Sequence, residues 1–338
     1  MTGLCDALPR VRLASLPTPF EEAPRLTAAL GGPRLFFKRD DLTGLALGGN
    51  KSRKLEFIMG DVRRHGCDAI ITTADAQSNF CRAAAAAASR LGVQTFLLLR
   101  GTGREARQGN LLLDGLFWAD IRFIPFTDPW DPRIVEAIEA LAAELRARGL
   151  KPYIVQLPGR TAPLAVAAYV DAAEELHRQW QEAGWGSDAL YVACGSGLTL
   201  AGLALGLKHL GHPTRVVGIS VQQPAARLGP WVVDKANAAA ELLGLPTGLT
   251  PGDFDLLDDY IGQGYGIPSP ESVAAVRLVG RTEGVLLDPV YTGKAMGGLI
   301  DRIRQGIHRP GQTVAFLHSG GAPGVFAHAQ AFTPATPA

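Results

Sequence analysis

The chain has 338 residues, of which 47% are hydrophobic and 19% charged, and its formal net charge is +1. A chain of this length and composition can bury a large core in one large or two medium domains, which excludes a disordered or fibrous protein. The near-neutral charge argues against nucleic acid as the main partner, because binding to a phosphate backbone requires a basic face.

Apolar runs bounded by turn residues recur along the chain and predict buried strands. They are RLFFKR near 34, DAIITTA from 68, TFLLLRG from 95, KPYIVQL from 151, ALYVACG from 189, RVVGISV from 215 and TVAFLHSG from 313. Between them lie longer stretches with helical spacing, namely CRAAAAAASRLG, PRIVEAIEALAAELRARG, AAYVDAAEELHRQWQEAG and ESVAAVRLVGRTEG. This alternation of strand and helix predicts an α/β fold with mostly parallel sheets.

The predicted domain boundary depends on two joints that contain Gly or Pro, GGNKS at 48–52 and LPGRTAPL at 157–164. Exposed joints of this composition are typical places for a chain to cross between domains. We therefore predict a small domain of residues 51–160, inserted into a large domain of residues 1–50 and 161–338.

No apolar run approaches the roughly 20 residues of a membrane span, and the N-terminal segment lacks the apolar core of a signal peptide. We therefore expect no membrane partner and a cytoplasmic location. The four cysteines form no CxxC or His-paired pattern, which argues against a zinc site and a disulfide framework. We expect no metal, and free thiols that are mostly buried.

Three strand-to-helix junctions have unusual composition, and ligands of parallel α/β sheets collect at such junctions. The first is DAQSNF (75–80), which leads into an alanine-rich helix. Ser78 or Asn79 can serve as its N-cap, and the free N–H groups that follow can hold an anion such as a carboxylate. The alternative is that these residues only cap the helix.

The second junction is CGSGLTLAG (194–202), where small residues let the backbone approach a phosphate and hydroxyls add donors. It does not read GxGxxG, because Leu200 stands in place of the third Gly, and residues 218–221 offer no acid for a ribose. A dinucleotide site is therefore disfavoured. The third junction, LHSGGAPG (317–324), either lines the ligand site or is a simple turn. His318 within it is more often a satisfied core residue than a catalyst.

A cluster of cations begins the predicted helix in GGNKSRKLEF (48–57), where the helix dipole disfavours positive charge. Three interpretations compete: a solvated basic helix start, a nucleotide-binding P-loop and a Schiff-base lysine. Asn50 interrupts the P-loop spacing before Lys51. A Schiff-base lysine requires a partly desolvated amine near other cations, and Arg53 and Lys54 are such neighbours.

Five motifs together resemble the D-cysteine desulfhydrase and 1-aminocyclopropane-1-carboxylate deaminase family. In chain order they are GGNKSRKLEF, AQSNFCRAAAAA, GSGLTLAGL, DPVYTGKA and HSGG, and they span nearly the whole chain. The resemblance implies a fold type II pyridoxal 5'-phosphate enzyme, similar to the tryptophan synthase β chain, with two open, mostly parallel sheets flanked by helices. It also implies a homodimer that acts on a small amino acid.

The resemblance further implies which residues hold the cofactor and the substrate. Lys51 should carry the cofactor as a Schiff base and move the α-proton of the substrate. Ser78 and Asn79 should hold the substrate carboxylate, with Asn79 also near the ring oxygen of the cofactor. The cofactor phosphate should be held by Lys54, Ser196, Gly197, Leu198 and Thr199.

Two tyrosines, Tyr265 in GQGYGIP and Tyr291 in DPVYTGK, are similar to the family's pair of active-site tyrosines. The alternative for both is core packing with a satisfied hydroxyl. Relatives that open the cyclopropane ring carry Glu after the second tyrosine, facing the pyridine nitrogen of the cofactor. A neutral Thr292 instead suits the loss of a good β-leaving group.

These residues imply β-elimination from a small β-substituted amino acid, with D-cysteine giving pyruvate, ammonia and sulfide. Phe80 stands where relatives have His or Gln beside the carboxylate site, so substrate identity stays open. Ring-opening deamination and β-elimination from L-cysteate or another β-substituted amino acid are the alternatives within this chemistry. A cofactor-binding protein without catalysis and a nucleotide-dependent enzyme are the rivals outside it. Neither substrate chirality nor the leaving group follows from the sequence.

Overall fold

The computed structural model describes residues 3–126, 128, 131–157 and 159–333. Within them the chain forms ten strands and eleven helices. The strands are β1 (Phe20–Glu22), β2 (Arg34–Lys38), β3 (Ala69–Asp75), β4 (Gln94–Arg100), β5 (Asp120–Ile124), β6 (Pro152–Ile154), β7 (Ala189–Cys194), β8 (Arg215–Ser220), β9 (Asp255–Leu257) and β10 (Thr313–Leu317). The helices are α1 (Pro24–Leu30), α2 (Lys51–Arg64), α3 (Asn79–Leu91), α4 (Gly109–Leu116), α5 (Pro132–Ala147), α6 (Ala162–Ala183), α7 (Leu198–His209), α8 (Ala225–Leu243), α9 (Pro270–Glu283), α10 (Thr292–Arg304) and α11 (Pro323–Ala327).

The strands form two sheets, one of six strands in the order β1-β2-β10-β7-β8-β9 and one of four in the order β5-β4-β3-β6. Among the described residues every neighbouring pair is parallel except β1 and β2. The predicted α/β class with two mostly parallel sheets is therefore confirmed.

The seven predicted strands all form, and the structure adds β1, β5 and β9. Each added strand lies at the edge of its sheet. An edge strand is paired on one side only, and these three are mostly half-buried. Their sequences FEE, DIRFI and DLL therefore lack the continuous apolar run by which a fully buried strand is recognised.

The strands of the smaller sheet all lie between residues 69 and 154, and those of the larger sheet lie outside this range. This distribution is compatible with the predicted inserted domain, whose bounds of 51–160 remain a prediction. Helix α2 packs on α6 as well as on α3, so it contacts helices assigned to both predicted domains. One residue of the second predicted joint, Pro158, lies outside the described residues.

Helices cover both faces of each sheet with apolar side chains. The largest core cluster joins α2, α3, α6, α7 and α8 to β7, while a second cluster packs α9 and α10 against the six-stranded sheet. Ala83 to Ala88 are all buried, as expected for an alanine run that allows a helix to approach its sheet closely. A third cluster packs α5 against the four-stranded sheet.

Within the described ranges no helix is both long and apolar enough to cross a lipid bilayer. The four cysteines are free, and Cys5, Cys81 and Cys194 are buried while Cys67 is half-buried. The expectation of free and mostly buried thiols is therefore confirmed.

Candidate active site

A cavity of about 300 Å³ opens at the carboxyl ends of strands from both sheets. Asp75 at the end of β3, Arg100 at the end of β4 and Ala193 near the end of β7 all contribute to its wall. It is also lined by the predicted site residues Lys51, Lys54, Ser78, Asn79, Phe80, Ser196, Gly197, Thr199, Tyr265 and Tyr291. The fold thus brings ten of the twelve predicted site residues together around one cavity.

Lys51 is the first residue of α2 and its half-buried side chain lines the cavity. Its Nζ donates a hydrogen bond of 2.9 Å to Asn50 Oδ1. Burial, and next the charge of Arg82, lower the pKa of Lys51 to about 8, with Asp288 acting in the opposite direction. A substantial fraction of this amine is therefore neutral and nucleophilic near neutral pH.

The cations that surround Lys51 differ in part from those expected. Arg53 is buried, and its guanidinium donates to Asp40 and Glu175 at 2.8 to 3.0 Å, so its charge is compensated. Arg82 supplies the second cation instead, from the first turn of α3. The expectation for Arg53 was wrong because two acids from other elements reach its guanidinium. Asp40 begins a short 3-10 turn before α2, and Glu175 lies in α6.

The backbone turn before Lys51 requires a glycine at position 48. It has a φ of 67°, and a Cβ at this position would lie 1.8 Å from the carbonyl oxygen of Asp41. Only glycine fits so close to another backbone segment in this left-handed conformation.

Lys54 lies one helical turn beyond Lys51, is 1% exposed and lines the same cavity. No described residue accepts a hydrogen bond from its Nζ or forms an ion pair with it; the Nζ lies over the ring of Tyr169, 5.4 Å from the ring centroid. Burial, and next the charge of Lys51, lower the pKa of Lys54 well below its usual range. A buried ammonium without a counter-ion is costly, and a bound anion would compensate it.

The loop before α7 supplies further donors at this end of the cavity. Gly197 has a φ of 78° and precedes the helix, whose first backbone N–H groups, at Leu198 and Thr199, have no acceptor among the described residues. Thr199 Oγ1 accepts a hydrogen bond of 3.1 Å from Asn50 Nδ2. Unpaired N–H groups at a helix N-terminus beside a buried ammonium fit a phosphate group.

Ser78 and Asn79 also line the cavity, at the start of α3. Ser78 is the N-cap, and its Oγ accepts hydrogen bonds of 3.2 Å from the N–H groups of Phe80 and Cys81. Ser78 does cap the helix, but capping uses its oxygen as an acceptor, so the hydroxyl proton remains available to a ligand. The Asn79 amide accepts at Oδ1 from Asn110 Nδ2, at 3.0 Å.

Tyr265 and Tyr291 meet through their hydroxyl groups, which are hydrogen bonded to each other, and both line the cavity. Burial, and next the charge of Asp75, raise the pKa of Tyr265 to about 12, and burial also raises the pKa of Tyr291. Lys294 ties the loop that carries Tyr265 to α10 by donating to the carbonyl groups of residues 261 and 264 at 2.7 and 2.9 Å. Because the pKa of each tyrosine is raised, both hydroxyls stay protonated at neutral pH.

Three further predicted residues differ in their placement. Phe80 is 5% exposed and lines the cavity. The Leu198 side chain belongs to the largest core cluster, so only its backbone N–H faces the anion-binding loop. Thr292 is fully buried, its Oγ1 donates to Asp288 Oδ1 at 2.8 Å, and it is absent from the cavity wall among the described residues. The structure thus gives Thr292 a local capping contact with Asp288.

Several wall residues were not recognised from the sequence. Asp75 and Arg100 are paired in register at the ends of β3 and β4, and Arg100 Nη2 donates to Asp75 Oδ2 at 2.5 Å. Both also line a second cavity of about 310 Å³, which shares Asn79, Tyr265 and Tyr291 with the first. The alignment of two strand ends was the signal that could have identified this ion pair.

The third junction lines the cavity through Ser319 and Gly320, which favours a ligand-contacting turn over a simple one. Asn50 connects Lys51 to Thr199, because its Oδ1 accepts from Lys51 and its Nδ2 donates to Thr199. The sequence did not predict this role, since Asn50 was considered only as the residue that interrupts the P-loop spacing. His318 is buried, with Nε2 3.1 Å from the carbonyl oxygen of Leu286, so it is the satisfied core residue that was expected.

The chain is similar to known proteins over nearly its whole length. A family model described as "Pyridoxal-phosphate dependent enzyme" matches residues 11–320. The D-cysteine desulfhydrases of Salmonella newport (strain SL254) and Salmonella typhi are each 42% identical to it over 326 residues, which make up 95% of this chain and 96% of theirs. A crystal structure described as that of the ACC deaminase homologue matches with a TM-score of 0.88 and 37% identity, covering 97% of this chain and 96% of that one.

Proposed function

Since the chain belongs to the family of pyridoxal-phosphate dependent enzymes, we propose that it is a lyase that removes the β-substituent of a small amino acid, with D-cysteine as substrate. Membership of the family confirms the resemblance carried by the five sequence motifs, and with it the expected cofactor, pyridoxal 5'-phosphate. One observation carries the proposal for the site. A nucleophilic amine, Lys51, and a buried lysine without a counter-ion among the described residues, Lys54, line the same cavity one helical turn apart.

In this proposal Lys51 holds the cofactor covalently, and Lys54 with the backbone of residues 196–199 holds its phosphate. Two observations support the assignment of the phosphate: among the described residues Lys54 has no counter-ion, and the N–H groups of Leu198 and Thr199 have no acceptor. When bound, the cofactor supplies an electron sink that lets the proton on the substrate Cα leave. Lys51, whose amine has a lowered pKa, would take up that proton.

The substrate carboxylate is assigned to the start of α3. The Ser78 hydroxyl can donate to it while capping the helix, and the Asn79 amide adds a donor. The positive end of the helix dipole favours an anion at this position. Phe80, next in the chain, places an apolar ring against the cavity where it can pack on the substrate and exclude water.

The tyrosine pair is assigned to the leaving group. Tyr265 has a pKa near 12 and a hydroxyl that is hydrogen bonded to that of Tyr291, so both can present protons at neutral pH. Sulfide leaves as an anion, and the hydroxyl pair can stabilise its developing negative charge by donating a hydrogen bond. Position 292 carries a neutral threonine, whose Oγ1 donates to Asp288. The absence of a carboxylate at this one position supports loss of a β-substituent over ring-opening deamination.

A second candidate substrate is an amino acid with an anionic β-substituent, such as the sulfonate of cysteate. The observation that favours it is Arg100, which lines both cavities and donates to Asp75 through Nη2 alone among the described contacts. A guanidinium with unused donors suits an oxyanion. The neighbouring Asp75 opposes an anion at the same place, which is why D-cysteine is the first candidate.

The experiment that tests the proposal is a substrate panel with the purified protein saturated with cofactor. D-cysteine, L-cysteine, L-cysteate and 1-aminocyclopropane-1-carboxylate are supplied in turn, and pyruvate, 2-oxobutyrate, sulfide and sulfite are measured. We expect pyruvate and sulfide from D-cysteine. Pyruvate and sulfite from cysteate would select the second candidate, and 2-oxobutyrate would select ring opening.

Two variants make the assignments separable. Lys51→Arg keeps the positive charge but cannot hold the cofactor covalently, so we expect it to lose both the yellow colour and turnover. Arg100→Gln should lower turnover of cysteate about tenfold or more while sparing D-cysteine, because it removes an oxyanion donor. A yellow and active Lys51→Arg variant would refute the assignment of Lys51.

We further propose that the enzyme is a cytoplasmic homodimer. Leu116 and Trp118, at the end of α4, are 64% and 92% exposed, and Phe326 on the adjoining helix α11 is 66% exposed. Exposed large apolar side chains on neighbouring helices are typical of an interface. The free thiols suit a reducing compartment. Light scattering that gives the mass of a monomer at all concentrations would refute the dimer.

A further inference from the structure

The loop before α3 is joined to the start of α4 by a closed set of hydrogen bonds. Asn110 Nδ2 donates to the carbonyl oxygen of Gln77 at 2.9 Å and to Asn79 Oδ1 at 3.0 Å. In return, the Asn110 N–H donates to Gln77 Oε1 at 3.0 Å. Asn110 is 1% exposed, and its three hydrogen bonds are partly buried at the wall of the second cavity.

The chemistry of these groups leaves only one orientation for the Asn79 amide. A backbone carbonyl only accepts hydrogen bonds, so the Asn110 atom that contacts the Gln77 carbonyl must be the nitrogen. That nitrogen donates its second proton to Asn79, and the Asn79 atom that faces it must therefore be the oxygen. The Asn79 Nδ2 is then the end that has no partner among the described residues, on a side chain that lines both cavities.

We propose that Asn110 is a positioning residue, which orients the Asn79 amide so that it presents N–H donors to the cofactor and substrate. The inference depends on the proposed function, in which Asn79 contacts the ring oxygen of the cofactor and the substrate carboxylate. Both of these ligand groups are acceptors, so an Asn79 amide turned by 180° would meet them with an oxygen and repel them.

Packing alone does not explain an amide at position 110. Asn110 Oδ1 is buried without a hydrogen-bond partner among the described residues. A leucine of similar size would fill the same space without leaving an unpaired acceptor. The amide contributes two hydrogen bonds from Nδ2, to the Gln77 carbonyl and to Asn79 Oδ1, which leucine cannot form.

The test compares Asn110→Leu and Asn79→Ala in the protein loaded with cofactor. We expect both variants to alter the visible absorption spectrum of the bound cofactor in the same way and to weaken cofactor binding about tenfold, as the loss of one hydrogen bond implies. Since Asn110 affects the cofactor through its contact with Asn79, the double variant should bind the cofactor no more weakly than Asn79→Ala alone. Asn110→Asp, which keeps the size of the side chain, covers the case in which the leucine variant does not fold.

Gln108→Ala is the matched control, because Gln108 Nε2 ties the same end of α4 to the Ala327 carbonyl at 3.3 Å without contacting Asn79. Its cofactor spectrum should equal that of the unaltered protein. If Asn79→Ala changes the spectrum and the folded Asn110 variants do not, the positioning role is wrong while the proposed function stands. If Asn79→Ala changes neither spectrum nor binding, the contact assigned to Asn79 fails, and the role of Asn110 fails with it.

Discussion

Attachment of the cofactor should depend on pH through the Lys51 amine, because only the neutral amine is a nucleophile. With a pKa of about 8, roughly one Lys51 side chain in ten is neutral at pH 7. For a lysine with an ordinary pKa near 10.4 the neutral fraction is roughly 200 times smaller. We therefore expect the rate of attachment to rise about tenfold per pH unit below pH 8 and to level off above it.

The assay mixes cofactor-free protein with pyridoxal, which lacks the phosphate, and follows the visible absorbance from pH 6 to pH 10. Omitting the phosphate removes any contribution from Lys54. A soluble lysine derivative, measured in parallel, corrects for the titration of the aldehyde itself. A corrected rate that keeps rising through pH 10 would refute the argument from burial.

Arg82 gives the same argument a second test. Its charge is the second cause that lowers the pKa of Lys51, so Arg82→Met should raise that pKa and move the rate profile to higher pH. Arg82 Nη2 also donates to the Gly48 carbonyl at 3.2 Å, so the variant's melting temperature should be recorded alongside. A folded variant with an unmoved profile would show that Arg82 does not act on Lys51.

Three further variants have outcomes that follow from single contacts. Lys54→Met should weaken binding of pyridoxal phosphate roughly ten- to hundredfold and leave pyridoxal binding unchanged in a fluorescence titration, because it removes one charge-assisted hydrogen bond. Arg53→Met should lower the free energy of unfolding in urea by about 3–5 kcal/mol, because it removes the ion-pair partner of Asp40, whose side chain is 0% exposed. Gly202→Ala should cost about 1–3 kcal/mol in the same measurement, since its Cβ would lie 2.4 Å from that of Tyr169.

Matched controls make these outcomes decisive. Arg34→Met removes an exposed ion pair with Glu22 and should cost about 1 kcal/mol or less. Gly280→Ala adds a methyl group where no atom lies within 4 Å, so it should be neutral or stabilising. If either control destabilises as much as its buried counterpart, burial and close packing are not the cause. Equal loss of pyridoxal and pyridoxal-phosphate binding in Lys54→Met would contradict a phosphate contact.

Local sequence patterns were sufficient wherever one segment determines its own structure. Six of the seven apolar runs form strands paired on both sides within a sheet, where burial requires a continuous apolar sequence; the seventh forms the edge strand β6. Ser78 caps α3 through N–H groups two and three residues away, and the helix ends at Gly92 with a φ of 71°. These features depend on neighbours within one turn of the chain, so they could be read from composition and spacing.

Contacts between distant segments were beyond such patterns. Arg53 is compensated by Asp40 and Glu175, the latter 122 residues away, and the partner of Asn79 is Asn110, 31 residues away. From the sequence, Arg53 was predicted to act on Lys51 only because it is a cation two residues away. Only the packing of α2 against α6 decided that its guanidinium belongs to a buried ion cluster.

The sequence by itself determined the α/β class, the start of α2 at Lys51 and the family, because these follow from periodicity and from motifs that survive as strings of residues. The tertiary structure alone decided which groups face one another across the cavity: Arg82 near Lys51, Arg100 beside Asp75, and Thr292 engaged away from the wall. The reason is physical. Charge, burial and hydrogen bonding depend on distances in space, and the fold sets those distances between residues that the chain keeps far apart.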